Sequence, residues 1–196
     1  MASGPTYVVK YRRRREGKTD YRKRLKLLKS GKPRIVIRKS IYNIIVQTVL
    51  YGEEGDKVLL TTTTKELLKK YDWKYNRNNL PSAYLVGYLH GLKSIKSGVY
   101  EGIIDIGLHR KTKGGVLFAV VKGLIDAGLN IPHSKDLFPD DYRIRGEHIV
   151  KYAKQLRESN LELYNKQFSR YIREGILPEN ISMVFEETLN KIKSSF

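Results

Sequence analysis

The chain has 196 residues, 38 Lys+Arg against 20 Asp+Glu, a net charge of +18 and no cysteine. Without cysteine there are no disulfide frameworks, thiolate metal sites, iron–sulfur clusters or cysteine nucleophiles, and no apolar run approaches the roughly 18 residues of a membrane span. A folded, strongly basic chain remains, and such a charge points to a polyanionic partner.

The charge is concentrated at the start. Residues 1–39 hold fifteen of the cations and only two acids, Glu16 and Asp20, which leaves +5 on the other 157 residues. The opening MASGPTYVVKYRRRR lacks the apolar stretch of a secretory signal. Residues 1–18 follow no helical or strand period and are punctuated by Gly4, Pro5 and Gly17, so an extended arm is predicted. A segment of one sign repels itself until a polyanion neutralises it. It also lacks the Trp/Phe/Leu face that a membrane-surface helix buries. Tyr7, Tyr11 and Tyr21 interleave with the arginines, and a Tyr ring offers a stacking face to an unpaired base. The arm therefore favours RNA with exposed loops over a plain duplex.

Thr19-Asp20 predicts a helix cap, with the helix running to about Ser30, Leu25 and Leu28 on its apolar stripe, and Gly31 as its stop. Pro33 bars continuation. Arg34–Arg38, Ile44–Val49 and Lys57–Thr62 read as three short-linked strands, hence an antiparallel meander. Thr64 is placed as the cap of a short helix over Lys65–Tyr71, and residues 72–79 as a polar loop. A long helix follows, with Pro81 in its first turn, reaching Ser97 before Gly98. Ala83, Gly87 and Gly91 recur every fourth residue and predict a close backbone approach along one stripe. Gly102–Ile106 reads as a short, fully buried fourth strand, and Lys113–Ala127 as a helix burying Leu117, Val120, Val121 and Leu124. Residues 130–141 read as a surface connection. Three helices then carry Ile144 to Leu156, Leu161 to Ile172, and Pro178 onward through Ile181, Phe185, Leu189 and Ile192.

Catalytic signatures are missing. There is no GxGxxG, no P-loop and no GxSxG, and the four histidines form no ligand pair. A meander followed by helices is how ribonuclease H-like nucleases begin, but their metal pair needs clustered acids, one of them in the first strand. Here that strand is Arg34-Ile-Val-Ile-Arg38, and Asp105 stands alone in the fourth. Asp105 is expected to be structural, accepting backbone amides or pairing with a basic residue in the loop after it. Arg110, Lys111 and Lys113, with Gly114-Gly115, lie just before a helix start, where free amides and the dipole favour phosphate. Catalysis, metal, cofactor and small-molecule substrate are all expected to be absent.

Several blocks, in order, resemble one family. Thr19-Asp-Tyr-Arg-Lys-Arg-Leu25 with Ser30-Gly-Lys-Pro-Arg34, Pro81-x-Ala-Tyr-Leu85, Asp105-Ile-Gly-Leu-His-Arg110 and Asp126-Ala-Gly-Leu129 are similar to large-subunit ribosomal protein eighteen. Arg143-Ile-Arg-Gly-Glu-His-Ile149 resembles the extension of its archaeal and eukaryotic branch, and the length favours the archaeal form. The resemblance implies a non-catalytic α/β fold, a ribonuclease H-like mixed sheet with an antiparallel meander plus a parallel strand, flanked by helices. It implies binding of 5S rRNA in the central protuberance, with 23S rRNA and neighbouring ribosomal proteins as further partners, in the cytoplasm. The division it suggests is an extended RNA-binding arm over 1–18, an α/β 5S-rRNA-binding domain over 19–130 and a helical C-terminal extension over 131–196. The RNA-facing positions carried over are Tyr11, Arg12, Arg13, Arg14, Arg15, Lys18, Tyr21, Arg22, Arg24, Arg34, Arg38, Ser40, His109, Arg110, Lys111 and Lys113. Where the family has Asn-x-His/Tyr after the serine, this chain reads Ile41-Tyr42-Asn43, and stacking falls to Tyr42. The alternatives are a free RNA-processing enzyme and a general RNA chaperone, which co-sedimentation with the large subunit separates from a ribosomal protein.

Overall fold

The alternating apolar residues of the first two strands decide the layering. Ile35 and Ile37 point to one side of the first strand, and Ile44, Val46 and Thr48 to the same side of the second; all five are fully buried. A computed structural model, describing residues 4–196, places these strands in a four-stranded sheet. The elements in chain order are α1 (Arg12–Arg15), α2 (Tyr21–Leu28), β1 (Arg34–Lys39), β2 (Ile44–Leu50), β3 (Lys57–Thr63), α3 (Thr64–Tyr71), α4 (Leu80–Lys96), β4 (Ile103–Asp105), α5 (Val116–Asp126), α6 (Asp141–Ile144), α7 (Glu147–Ser159), α8 (Leu161–Gln167), α9 (Ser169–Arg173) and α10 (Ile181–Ser194).

The strand order is β3-β2-β1-β4. β1 and β2 are antiparallel, with Arg34 opposite Val49 and Lys39 opposite Ile44. β2 and β3 are antiparallel, with an irregularity at Thr48/Val49. β4 joins β1 in parallel, Ile35 beside Ile104. The mixed sheet of the ribonuclease H-like reading is therefore present. β4 is an edge strand with Ile103 and Ile104 half-buried, which corrects the expectation of full burial.

α4 and α5 cover the Ile35/Val46 side. His90 of α4 sits between the layers, its Nε2 2.9 Å from Thr48 Oγ1 and its Nδ1 3.0 Å from Thr62 Oγ1. Burial, followed by the charge of Lys93, pushes its pKa down to about 3, so the ring is neutral and acts as a polar pin in an apolar layer. The small-residue stripe does what its spacing predicts. A Cβ at Gly87 would overlap the Val120 carbonyl oxygen, and one at Gly123 the Tyr84 carbonyl oxygen. α4 thus supplies Gly87 and Gly91 to the crossing, the latter against Ala127, and α5 supplies Gly123. Gly87→Ala is expected to cost about 1–3 kcal/mol, the range for overpacking a dense core, read from urea denaturation midpoints.

Other boundaries moved for local reasons. The cap of α3 is Thr63, not Thr64, because Glu66 closes a capping box on Thr63. Leu25 faces solvent, and the partly covered leucines of α2 are Leu27 and Leu28. The segment read as polar loop buries Trp73 and Tyr75 completely or nearly so. The connection 130–141 likewise buries Ile131 and Pro139. The first C-terminal helix is two: Gly146, at φ 79°, breaks it between α6 and α7. The second is also two, bending at Phe168. The arm is not extended throughout, since Arg12–Arg15 form one helical turn.

Ile144, Ile181, Phe185 and Ile192 of the C-terminal region belong to the same hydrophobic cluster as Ile35 and Leu89. The helical extension is therefore continuous with the core of the α/β body. A second cluster of Ala153, Leu156, Tyr164 and Phe168 holds α7 to α8. Among the described residues, no helix is long and apolar enough to cross a membrane, and no group of His, Asp or Glu is placed to hold a metal.

Candidate RNA interface

The other face of the sheet carries Arg34, Val36, Arg38, Gln47 and Val49, and α2 lies over it. α2 starts where Asp20 accepts the amides of Arg22 and Lys23 at 3.0 and 3.1 Å, the capping expected from Thr19-Asp20. None of its residues is fully buried. Polar contacts hold it in place. Lys23 Nζ donates to the Gly107 carbonyl at 2.7 Å, and Arg24 pairs with Asp56 at 2.8 Å.

Beneath α2 is an ionic cluster. Arg34, 3% exposed, lies 2.6 Å from Asp56 and 3.2 Å from Asp105. Arg38 reaches Asp105 Oδ1 at 3.4 Å and donates to the Asp105 carbonyl at 2.7 Å. Asp105 Oδ1 also accepts the Gly107 amide at 2.8 Å. Asp105 thus accepts a backbone amide as expected, but it pairs with Arg34 and Arg38 of β1 and not with a basic residue of the following loop. Burial pushes the Asp56 carboxyl up, but hydrogen bonds from Arg24 and Arg34 outweigh it and hold the pKa below its ordinary value. The same bond raises the Arg24 pKa.

The predicted site residues fall into three groups. Tyr11, Arg12, Arg13, Arg14, Arg15, Lys18 and Arg22 are exposed, as are Arg110, Lys111 and Lys113. Tyr11 packs on Tyr21 with ring centroids 5.1 Å apart, and Arg13 Nε donates to Thr19 at 2.8 Å, so the arm is seated on α2. Glu16 draws on Lys18 at 2.9 Å and Arg12 at 3.9 Å. The second group is structural in part. Arg34 is buried and neutralised, so it supports the surface from below and does not face outward. Arg24 and Arg38 divide their guanidinium groups between Asp56 or Asp105 and solvent. The third group is the β1–β2 turn. Ser40 Oγ donates to the Asn43 carbonyl at 3.0 Å and accepts the Asn43 amide, and Asn78 Nδ2 grips the Ser40 and Ile41 carbonyls. That leaves Tyr42 presented at 69% exposure. His109 accepts the Lys39 amide on Nε2 at 3.3 Å, tying the loop after β4 to this turn.

That loop runs longer than expected. α5 begins at Val116, not Lys113, and the Gly114 amide is taken by the Leu137 carbonyl at 3.0 Å. The helix start therefore offers fewer free amides to a phosphate than the sequence suggested, and the exposed side chains of Arg110, Lys111 and Lys113 carry the charge. Asp105, at the start of the loop, is already engaged by Arg34 and Arg38. Arg110→Lys is expected to weaken RNA binding by about 1–3 kcal/mol, the value of one bidentate contact, with an unchanged melting temperature. A shifted melting temperature with unchanged affinity would make Arg110 a structural residue.

Lys23 and Asp56 escaped the sequence reading. Lys23 is one of fifteen cations in its segment, and nothing in the spacing marks it as the strut to Gly107. Asp56 sits in a Gly-Glu-Glu-Gly-Asp turn that reads as solvent-facing.

Among families, the model described as "Ribosomal large subunit proteins 60S L5, and 50S L18" matches residues 5–98 and 92–134. The chain is 50% identical over 195 residues to the large ribosomal subunit protein uL18 of Saccharolobus islandicus, covering 100% of this chain and 99% of that protein. It is 47% identical to the protein of that name from Caldivirga maquilingensis, over 100% of this chain and 95% of the relative. For Aeropyrum pernix the identity is 46%, over 100% and 92%. These relatives extend through the helical region that the family model leaves unmatched.

Proposed function

The chain belongs to the family of large-subunit ribosomal proteins 60S L5 and 50S L18, and from that premise we propose that it binds 5S rRNA and anchors it in the central protuberance, with 23S rRNA and neighbouring ribosomal proteins on its other faces. It is a structural, non-enzymatic constituent of the large subunit of the cytoplasmic ribosome, and rRNA and ribosomal proteins are its partners. The arm over 1–18 and the α/β body over 19–130 hold the 5S rRNA, and the helices of 131–196 meet the neighbours.

One observation carries the RNA-binding reading. The two basic segments selected from the sequence for separate reasons, the arm and the loop after β4, lie side by side. Leu108 of the loop shares a surface hollow with Arg14, Tyr21 and Arg22, and Lys23 bridges to Gly107. Arg14 and Arg22 thus stand, with Tyr21 between them, beside the segment that continues into the exposed Arg110 and Lys111, which supports one cationic surface with an aromatic ring within it, the combination that grips a phosphate backbone and stacks unpaired bases.

The test is a gel-shift titration of the full chain with 5S rRNA and with a tRNA of similar size. A clear preference for 5S rRNA is expected, and equal affinity would favour a general RNA chaperone. With roughly 8 phosphates neutralised, log K should fall with log[salt] at a slope of about −6 to −7. A slope shallower than about −2 contradicts an interface built on the arm.

A further inference from the structure

α2 covers the sheet face unevenly, leaving Val36 and Val49 9% and 5% exposed but Val58 48% exposed. Between them lies an open cleft of about 540 Å³, within the roughly 300–1,000 Å³ typical of sites for small organic ligands. We propose that this cleft receives one extruded nucleotide of the bound RNA, its base against the sheet and its phosphate among the cations of the rim, an inference that rests on the RNA-binding reading above.

Three features support this. The floor is apolar: Val36, Val49 and Val58 line it, with Leu27 of α2 opposite. Val58, on the edge strand β3, is the exposed part of that floor, beside the covered Val49 it pairs with. A base presents an apolar face of the kind this floor would cover.

Two polar groups at the floor are unused. Arg34 Nε is buried without a hydrogen-bond partner, on a side chain that lines the cleft and is 3% exposed. Gln47 Nε2 donates to Thr61 Oγ1 at 3.0 Å, which leaves its carbonyl oxygen free. One donor and one acceptor together complement the edge of any nucleobase, each of which carries both kinds of group. An unpaired buried donor is costly, and a base carbonyl would satisfy it.

The electrostatics select an anion. The three acids that line the cleft are already committed. Asp20 caps α2, and Asp56 and Asp105 are neutralised by Arg24, Arg34 and Arg38. Arg13, Lys18 and Lys23 add further positive charge around the opening. A base-paired duplex is too wide to enter, so the occupant is a single unpaired nucleotide.

The experiment is a methyl NMR titration of the full-length protein with each of the four nucleoside 5′-monophosphates, and separately with ribose 5-phosphate and inorganic phosphate. At least one nucleotide is expected to move the Val36, Val49 and Val58 methyls and the Gln47 side-chain amide at millimolar concentration. The two base-free phosphates should move only the rim. Valine methyls that stay in place with every nucleotide, or that move equally with inorganic phosphate, would overturn the proposal. In the RNA complex, Val58→Phe fills the cleft and is expected to lower 5S rRNA affinity about tenfold, within the range for one stacked base, without lowering the melting temperature. Unchanged affinity would also overturn it. If Val58→Phe fails to fold, Gln47→Ala removes the acceptor, together with the bond to Thr61, and must still weaken binding. Failure of the wild-type chain to prefer 5S rRNA over tRNA would remove the proposed function, while the nucleotide titration would still decide the cleft.

Discussion

Asp105→Ala is expected to lower the stability of the free protein by about 3–5 kcal/mol, the cost of leaving a buried charge without its partner. Three groups lose their acceptor at once. Arg34, buried at 3% exposure, keeps only Asp56. Arg38 loses its contact to the carboxylate, and the Gly107 amide is left unpaired. Asp105→Asn retains an oxygen for the Gly107 amide but not the charge, so its cost should be smaller. Urea denaturation of both variants and the wild type gives the ranking. A loss below about 1 kcal/mol for Asp105→Ala, the level of an exposed ion pair, would mean that the cluster is solvent-screened despite its burial. RNA affinity should fall as well, because Gly107 positions both Lys23 and the Arg110 loop. No magnesium-dependent RNA cleavage is expected of the wild type, so none should be lost. Cleavage by homogeneous protein that disappears in Asp105→Asn would overturn the non-catalytic assignment.

Deleting residues 1–18 should have the largest effect on function and almost none on folding. Every described residue from 4 to 18 is exposed, and none contributes to either hydrophobic cluster. The arm touches the body chiefly through Tyr11 on Tyr21 and Arg13 on Thr19. The melting temperature should therefore move by about 2 °C or less, as for surface changes worth under about 0.5 kcal/mol. The deletion removes Lys10, Arg12, Arg13, Arg14, Arg15 and Lys18. If four to six of these meet phosphates, affinity for 5S rRNA near 0.1 M salt should fall about 10³-fold, and the salt slope should become shallower by about 3–5. Loss of the thermal transition would show instead that the arm is structural.

The local elements were legible because short-range chemistry specifies them. Asp20 caps α2, Pro81 opens α4, and the alternation of Ile35, Ile37, Ile44 and Val46 sets one face of a sheet inward. Turn spacing made β1–β2–β3 a meander, since links this short join only antiparallel strands. The Gly87/Gly91 stripe announced a close backbone approach, though not that its partner would be α5 or that Gly123 would answer it. A count of charged residues located the arm, because a run of one sign is visible without any fold.

The long-range pairings had to wait for the tertiary structure. Whether an arginine meets RNA or a carboxylate depends on what lies tens of residues away. Arg34 and Arg38 read alike in sequence, yet one is held beneath α2 between Asp56 and Asp105 and the other reaches solvent. β4 read as fully buried because its residues are apolar, and its place at the edge of the sheet follows from strand order, which hydropathy does not encode. Trp73 and Tyr75 were hidden in a polar-looking loop because two aromatic side chains are enough to anchor eight residues. Composition by itself determined that this chain is a cationic partner for a polyanion, because net charge is a sum over residues and independent of the fold. Only the tertiary structure decided which cations stand on one surface and which hold it up, because that sorting is made by burial and by pairing across the fold.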